Sequence, residues 1–452
     1  MIGWEKAHDL LTSIAKAESV VIRYLRWDAD YLAALEFLEF IGYITISEEG
    51  QTASLSETNE AELENQLALL SLAGKCQDLF ILRSPEAENI WFFGAALSLS
   101  AFGIDHHPQT AQGTGGKSLD PRASFEGCIG EAAEYLSFLQ RKDDPLTTEH
   151  DMAGFSAGEK AWIDEKLGQI RTPLPKPGLT IRMTTATRNR AVFMPSELVL
   201  RSADKTIKTS SVGLGAGRQY EEAAKTGLLE IIERDAAALW WYGGQVARRL
   251  DDRLISRSLL NLFSAAGRQK ERAFSFLDIT SDLNIPVYVC FSSDPHGHQI
   301  ACGFGCDPTP QKALSAAFFE MCQMELAYSI SLGRLHRSDE NALSDVDRLL
   351  IQRSKTLSLK NNPQFQAGRS SQASVPPPGD HSLESLANRV RLQGFTPYFA
   401  DLTRNDISIP VCRVIIPGLQ LPDMQPITPR LQDARGRSGT PASHSSIEIA
   451  PF

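Results

Sequence analysis

Residues 211–242 read SVGLGAGRQYEEAAKTGLLEIIERDAAALWWY, and this stretch governs how the rest of the chain is understood. Gly213, Gly215 and Gly217 open it as a turn in which main-chain N–H groups can lie close to a ligand. From Tyr220 onward only Gly227 interrupts a helical pattern, so the spacing predicts a helix over 220–242. At about 100° per residue, Glu222, Thr226, Glu230 and Glu233 share roughly a quarter of its circumference. Leu228, Leu229, Ile231, Ile232, Ala236 and Leu239 fill most of the remainder. A helix apolar nearly all round is normally buried, and this one would take carboxylates inside with it.

Buried anions are costly and like charges on adjacent helix turns repel, so compensation is required. Two readings of this helix stand side by side. One is a divalent cation, Mg²⁺, which takes oxygen ligands and commonly shares them with phosphate. The other is a partly solvated face with a Glu230–Arg234 pair, worth about 0.2–0.5 kcal/mol. Two more segments bear on the choice. Ile129, Ala132, Ala133 and Leu136 surround Glu131 and Glu134, three residues apart on one helix face. Glu320 and Gln323 share a face among Ala317, Phe318, Phe319 and Met321. Three helices presenting acidic or amide groups in apolar surroundings point to one oxygen-lined site.

These motifs resemble the YcaO family of ATP-dependent enzymes that modify peptide backbones, over roughly 116–430. EEAxxxGLLEIIERDAAALWWY, ending at Tyr242, is very close to the family signature. GKSLDPRASFEGCIGEAAEY is similar to its first ATP-site motif, and AxxExxQ over 317–323 to its third. GFTPYFADLTRNDISIPVCRVIIPGLQ over 394–420 is similar to its C-terminal strand-turn-strand with a Pro-Gly-Leu turn. The resemblance implies an α+β, YcaO-like ATP-binding fold of β-sheets packed with helices. It implies that Glu131, Glu134, Glu230, Glu233 and Glu320 hold Mg²⁺. Lys117, Ser211, Glu222, Arg234 and Gln323 would contact ATP, with Glu233 and Arg234 as the catalytic pair. The sequence departs from the family twice: Tyr135 stands where arginine is usual, and Val212 where asparagine is usual. Both changes remove polar groups that could face nucleotide.

The family also implies a reaction. An amide carbonyl is resonance-stabilised and a poor electrophile. A Cys, Ser or Thr side chain adds to it, ATP phosphorylates the oxygen, and phosphate departs to leave an azoline. The protein's share is positioning and charge neutralisation. The implied role is therefore a cyclodehydratase subunit acting on a ribosomally made precursor peptide. Its implied partners are a leader-peptide-binding subunit and a flavin-dependent dehydrogenase in a hetero-oligomeric complex. Thioamide or amidine formation would use the same phosphorylated amide, and a non-catalytic scaffold is a further alternative, motivated by Tyr135 and Val212.

Composition narrows the field. The 452 residues carry a net charge of -10, which disfavours non-specific binding of nucleic acid or anionic membranes. No apolar run approaches the ~20 residues a bilayer span needs. The opening MIGWEKAHDLL has no signal-peptide pattern. Seven scattered cysteines suit a reducing cytoplasm better than a disulfide framework. Cys302 and Cys306 lack partners at zinc-ligand spacing. His296 with His298, and His106 with His107, are better explained as solvated loop tips than as ligands.

The chain divides, on pattern, into a small N-terminal α/β module over 1–90, a YcaO-like catalytic domain over 91–430 and a flexible tail over 431–452. Helices are expected over 4–17, 30–40 and 61–73, and strands over 20–24, 42–46 and 79–82. That mixture fits a winged-helix-like peptide-binding module, or a half-domain packed on the catalytic body. Residues 109–117, QTAQGTGGK, look like a flexible approach to the first motif. Gly116, Lys117 and Ser118 match the end of a phosphate-binding loop, although Ala111 stands where its first glycine belongs. Strands are expected over 274–280 and 286–292. Residues 354–380, rich in Ser, Gln, Pro and Gly, are expected to form a mobile loop.

Overall fold

The computed structural model describes residues 4–17, 19–21, 29–104, 111–148, 152–170, 178–187, 190–202, 209–250, 254, 257–268, 272–337, 343–368, 379–422, 426–439 and 450–451. It opens with α1 (Trp4–Ala17), β1 (Ser19–Val21), α2 (Ala29–Phe40), β2 (Ile44–Ile46), β3 (Thr52–Leu55) and α3 (Glu60–Gly74). The long hairpin of β4 (Asp78–Ser84) and β5 (Ala87–Ser98) follows, then β6 (Ala111–Ser118), α4 (Pro121–Phe138) and α5 (Ala157–Ile170). Next come β7 (Thr180–Thr184), β8 (Ala191–Pro195), α6 (Ser196–Val199), β9 (Leu214–Ala216) and α7 (Tyr220–Trp241). The second half holds β10 (Arg248–Arg249), α8 (Arg257–Ala265), β11 (Ala273–Asp278), β12 (Val287–Ser293), β13 (Ala301–Cys306) and α9 (Pro310–Arg337). Last are α10 (Asp345–Thr356), α11 (Leu383–Leu392), β14 (Tyr398–Asp401), β15 (Val411–Ile415) and α12 (Pro429–Ser438).

The strands form sheets in the orders β1-β3-β2, β4-β5-β6, β8-β7-β14-β15-β9 and β10-β11-β12-β13. Helices α4, α7 and α9 lie across β6, β9 and β13 respectively. Each crossing is tight because a glycine faces the helix. A Cβ at Gly116 would stand 1.8 Å from Ser124 O, one at Gly215 2.3 Å from Ala223 O, and one at Gly303 2.1 Å from Met321 N. Only glycine permits that approach, and it brings helix side chains within reach of strand N–H groups. The helix of the central motif is apolar nearly all round as expected: Leu228, Ile232, Ala236 and Trp240 are buried in a core shared with β12, β13 and β15.

Several expectations change against this architecture. A boundary at residue 90 would fall inside β5, and the N-terminal helices share one core with α4. Phe125 of α4 stacks on Trp4 at 6.3 Å and meets Phe37 edge-on at 5.4 Å. Residues 111–118 form strand β6, paired to β5 along its length, and not a phosphate loop. Of the loop expected over 354–380, residues 357–368 pack down: Phe365 is buried and Trp240 Nε1 donates to Gln364 O at 3.1 Å. Residues 369–378 lie outside the described residues. The expected flexible tail instead begins in helix α12, whose Leu431 and Ala434 bury against Leu239. His106 and His107 lie outside the described residues, as do 440–449 of the tail. His296 and His298 occupy the turn between β12 and β13, where Asp294 Oδ1 accepts both their amides.

Candidate nucleotide site

Helix α4 starts on Asp120, whose side chain accepts from Arg122 N, with Pro121 in its first turn. From there it carries Glu131 and Glu134 toward the centre of the molecule. Glu131 Oε2 accepts from Gly115 N on β6 at 2.7 Å. Glu134 Oε1 accepts from Ala216 N on β9, also at 2.7 Å. Helix α7 brings Glu230, whose Oε2 accepts from Gly213 N at 2.8 Å. Helix α9 brings Glu320, whose Oε2 accepts from Phe304 N on β13 at 3.1 Å. A similar arrangement recurs on each helix: a glutamate accepts an N–H from the strand beneath, or in the case of Glu230 from the turn that leads into it.

Arg234 sits among them. Its guanidinium lies 4.0 Å from Glu230, 3.6 Å from Glu233 and 3.9 Å from Glu320. Lys117 Nζ donates to Gln323 Oε1 at 2.8 Å, joining β6 to α9 at the edge of the cluster. Burial pushes Glu134 up to about 8, and the nearby Glu230 adds to it. Burial likewise pushes Glu233 up to about 8, against Arg234 and with the help of Glu320 and Glu230. Glu230 is raised by burial, with Arg234, the Gly213 amide and Arg413 opposing. Glu131, the most solvent-exposed of the set, is raised by burial, with the Gly115 amide and Lys117 opposing. Burial would lower Arg234, and Glu233, Glu320 and Glu230 outweigh it and hold the guanidinium above its ordinary value.

Not every residue singled out in the sequence joins this cluster. Glu222 is exposed in the first turn of α7, where its Oε2 accepts from Arg218 N at 2.8 Å. It is two turns before Glu230, about 12 Å along the axis. Ser211 is exposed, and its carbonyl accepts from Leu214 N. Tyr135 is buried near Arg201, and Val212 packs its side chain on the core beside α7. Two charged groups went unnoticed in the sequence. Asp235, fully buried, accepts from Gln420 N and from Arg430. Arg413, on β15, is buried and donates to the carbonyls of Val212 and Ser210. The glycines around them gave no hint, because the partners come from the far end of the chain.

The donor set suits a hard cation. All the side chains are oxygen donors, and the carboxylates outnumber the cations that face them. Among the described residues, no three His, Cys, Asp or Glu groups close into a ready-made metal cage. Oxygens from a phosphate and from water would complete the shell, which is how Mg²⁺ is usually held. Cys302 and Cys306, both on β13, are not part of such a set.

A family profile described as YcaO cyclodehydratase, ATP- and Mg²⁺-binding, matches residues 115–420. The chain belongs to the YcaO family. An uncharacterized protein of Methanothermobacter thermautotrophicus is 26% identical over 243 residues, covering 48% of this chain and 58% of that one. A heterocyclase solved in complex with substrate and cofactor superposes with a TM-score of 0.60 at 21% identity, over 79% of this chain and 52% of that one. YcaO from Methanopyrus kandleri, bound with AMPPCP and Mg²⁺, gives 0.54 at 19% identity, over 76% and 86%. The E. coli microcin synthetase McbBCD complex with pro-MccB17 bound gives 0.53 at 15% identity, over 75% and 87%. These likenesses establish a YcaO fold. The chain spans a little over half the length of the heterocyclase and of the Methanothermobacter relative. No described helix is long and apolar enough to cross a membrane.

Proposed function

We propose that this chain is an ATP-dependent cyclodehydratase subunit that forms thiazoline or oxazoline rings from Cys, Ser or Thr in a ribosomally made peptide. The observation that carries the reading is the gathering of Glu230, Glu233 and Glu320 about Arg234, with Glu131 and Glu134 within electrostatic reach of Glu230 and the Lys117–Gln323 pair linking β6 to α9. Carboxylates gathered at this density are costly to bury, and Glu134 and Glu233 are destabilised further by neighbouring glutamates. They are explained if they serve a cation and the phosphates it carries.

In this reading the thiol or hydroxyl of the reacting residue adds to the preceding carbonyl carbon and gives up its proton. The resulting oxyanion attacks the γ-phosphorus of ATP, and ADP leaves. The amide nitrogen then forms the C=N bond, phosphate departs with the former carbonyl oxygen, and the nitrogen loses its proton. The balance is one water removed from the peptide per ATP cleaved. Glu131, Glu134, Glu230, Glu233 and Glu320 would hold Mg²⁺, which when bound neutralises phosphate charge. Arg234 would take up charge developing on the transferred phosphoryl group, and Lys117 would meet a further phosphate oxygen. Glu222 and Ser211, both exposed, would be further nucleotide contacts.

Partners belong to the same proposal: a subunit that presents the leader peptide, and a flavin-dependent dehydrogenase that oxidises azoline to azole. The McbBCD complex supports a multi-subunit assembly. The test is ATP-dependent loss of water from a precursor peptide, followed by mass spectrometry with purified protein and partner. Glu233→Gln should abolish both water loss and Mg²⁺-dependent ATP binding. A preparation that cleaves ATP but leaves the peptide mass unchanged would exclude ring formation.

A further inference from the structure

We propose that Arg413 is a positioning residue of this site, fixing the backbone of 210–212 so that the Gly213 N–H holds Glu230 in place. The assignment to nucleotide binding rests on the function proposed above; the hold on the turn does not.

Arg413 is 4% exposed and sits in β15 opposite Leu214 of β9. Its Nη1 donates to Val212 O at 2.6 Å, and its Nη2 to Ser210 O at 2.7 Å and to Leu198 O at 3.4 Å. The guanidinium also lies over the ring of Phe138, at the end of the helix that carries Glu131 and Glu134. Next to it, Val414 N donates to Gly213 O at 2.7 Å. The Gly213 peptide is thus gripped on its carbonyl by β15, and its N–H is given to Glu230 Oε2.

A buried guanidinium normally takes a carboxylate partner, because charge is expensive to desolvate. Among the described residues, Arg413 makes no ion pair within 4 Å. It spends its donors on carbonyls at the entrance to the glycine-rich turn, and its charge acts on Glu230 without pairing with it. An apolar side chain would fill this space without that cost. A planar fork is what spans the carbonyls of residues 210 and 212 at once, and lysine, with a single point charge, does not. The chemistry therefore points to orientation of the turn, with Glu230 as the group that benefits. Residues that orient a ligand of a metal typically contribute roughly 10–100-fold to affinity or activity.

Two variants and two readouts test this. Arg413→Met removes the fork and the charge; Arg413→Lys keeps the charge. The first readout is backbone hydrogen exchange over 210–216 in nucleotide-free protein. Both variants should exchange faster there than wild type, while α9 and its strand remain protected. The second is calorimetry of ATP binding with Mg²⁺, alongside KM and kcat. Affinity for ATP should fall roughly tenfold or more in both variants, and Lys should not rescue it. If Arg413→Met does not fold, Arg413→Lys carries both measurements. Unchanged exchange over 210–216, or wild-type ATP affinity in a folded variant, overturns the proposal. A wild-type protein that takes up no nucleotide would defeat the proposed function instead, and the exchange experiment would still decide whether Arg413 holds the turn.

Discussion

Burial pushes Glu134 and Glu233 up to about 8 in the folded protein, against an ordinary value of 4.5. The sign of the consequence follows from proton counts. Between about pH 4.5 and 8 the unfolded chain binds fewer protons than the folded one, so stability falls as pH rises through that window. The nucleotide-free protein should therefore lose thermal stability from pH 6 to pH 8. Glu233→Gln should flatten the slope and stabilise the empty protein at pH 8 by roughly 1–3 kcal/mol, measured by denaturant unfolding. Because Mg²⁺ takes ionised carboxylates, ATP binding near pH 7 should release protons, visible as a calorimetric heat that varies with buffer ionisation enthalpy. Arg234→Met should lower kcat/KM for ATP by about 10²–10³-fold, because among the described residues it is the cation within 4 Å of Glu230, Glu233 and Glu320 alike. At this scale the sequence was informative about side chains and silent about main chain. The spacing of Glu131 with Glu134 and of Glu230 with Glu233 marked them out. Their N–H partners on Gly115, Ala216, Gly213 and Phe304 come from strands brought together only by folding.

Two of the three site helices follow the same construction, a β-hairpin followed by a helix laid back over its second strand. The hairpin β5-β6 carries α4, and β12-β13 carries α9. In both, the strand glycine sets how near the helix can come. Gly303→Ala would place a methyl 2.1 Å from Met321 N and 2.3 Å from Ala317 O, both backbone atoms that cannot rotate away. Overpacking of this kind should cost about 1–3 kcal/mol or more. It should also lift Glu320 from Phe304 N, so chemical denaturation and ATP affinity should fall together. Long elements of sustained apolar content were legible, α7 above all. The strand β6 was not, because QGTGGKS has the composition of a loop and owes its extended form to pairing with β5. Helix α12, PRLQDARGRS, is too polar to announce itself. It is held by Leu431, Ala434 and the Arg430–Asp235 pair, contacts that only tertiary structure supplies.

Across the molecule, two charge networks join distant parts of the chain and should differ sharply in strength. Arg218, half exposed, reaches Glu126 at 3.3 Å and faces Glu62 of α3 at 3.8 Å. Arg218→Ala should change unfolding free energy by about 1 kcal/mol or less. Asp235 is fully buried one residue after Arg234, and it binds Arg430 at the start of α12. Asp235→Ala removes the buried partner of Arg430 and of Gln420 N, leaving Arg430 only the more exposed Asp282, and should cost about 1.5–3 kcal/mol in the same measurement. The N-terminal residues are tied in more firmly still. Phe125 lies within 6.3 Å of Trp4 and Tyr43, 5.4 Å of Phe37 and 5.8 Å of Phe93. The family profile begins at residue 115, so its edge cuts through that ring of aromatics. A fragment excised there would bear an open greasy socket less than two helical turns from Glu131, and its copies should clump in dilute buffer where the intact protein stays dispersed. For the same reason, grafting this front portion onto another member would succeed only if α4 travelled with it.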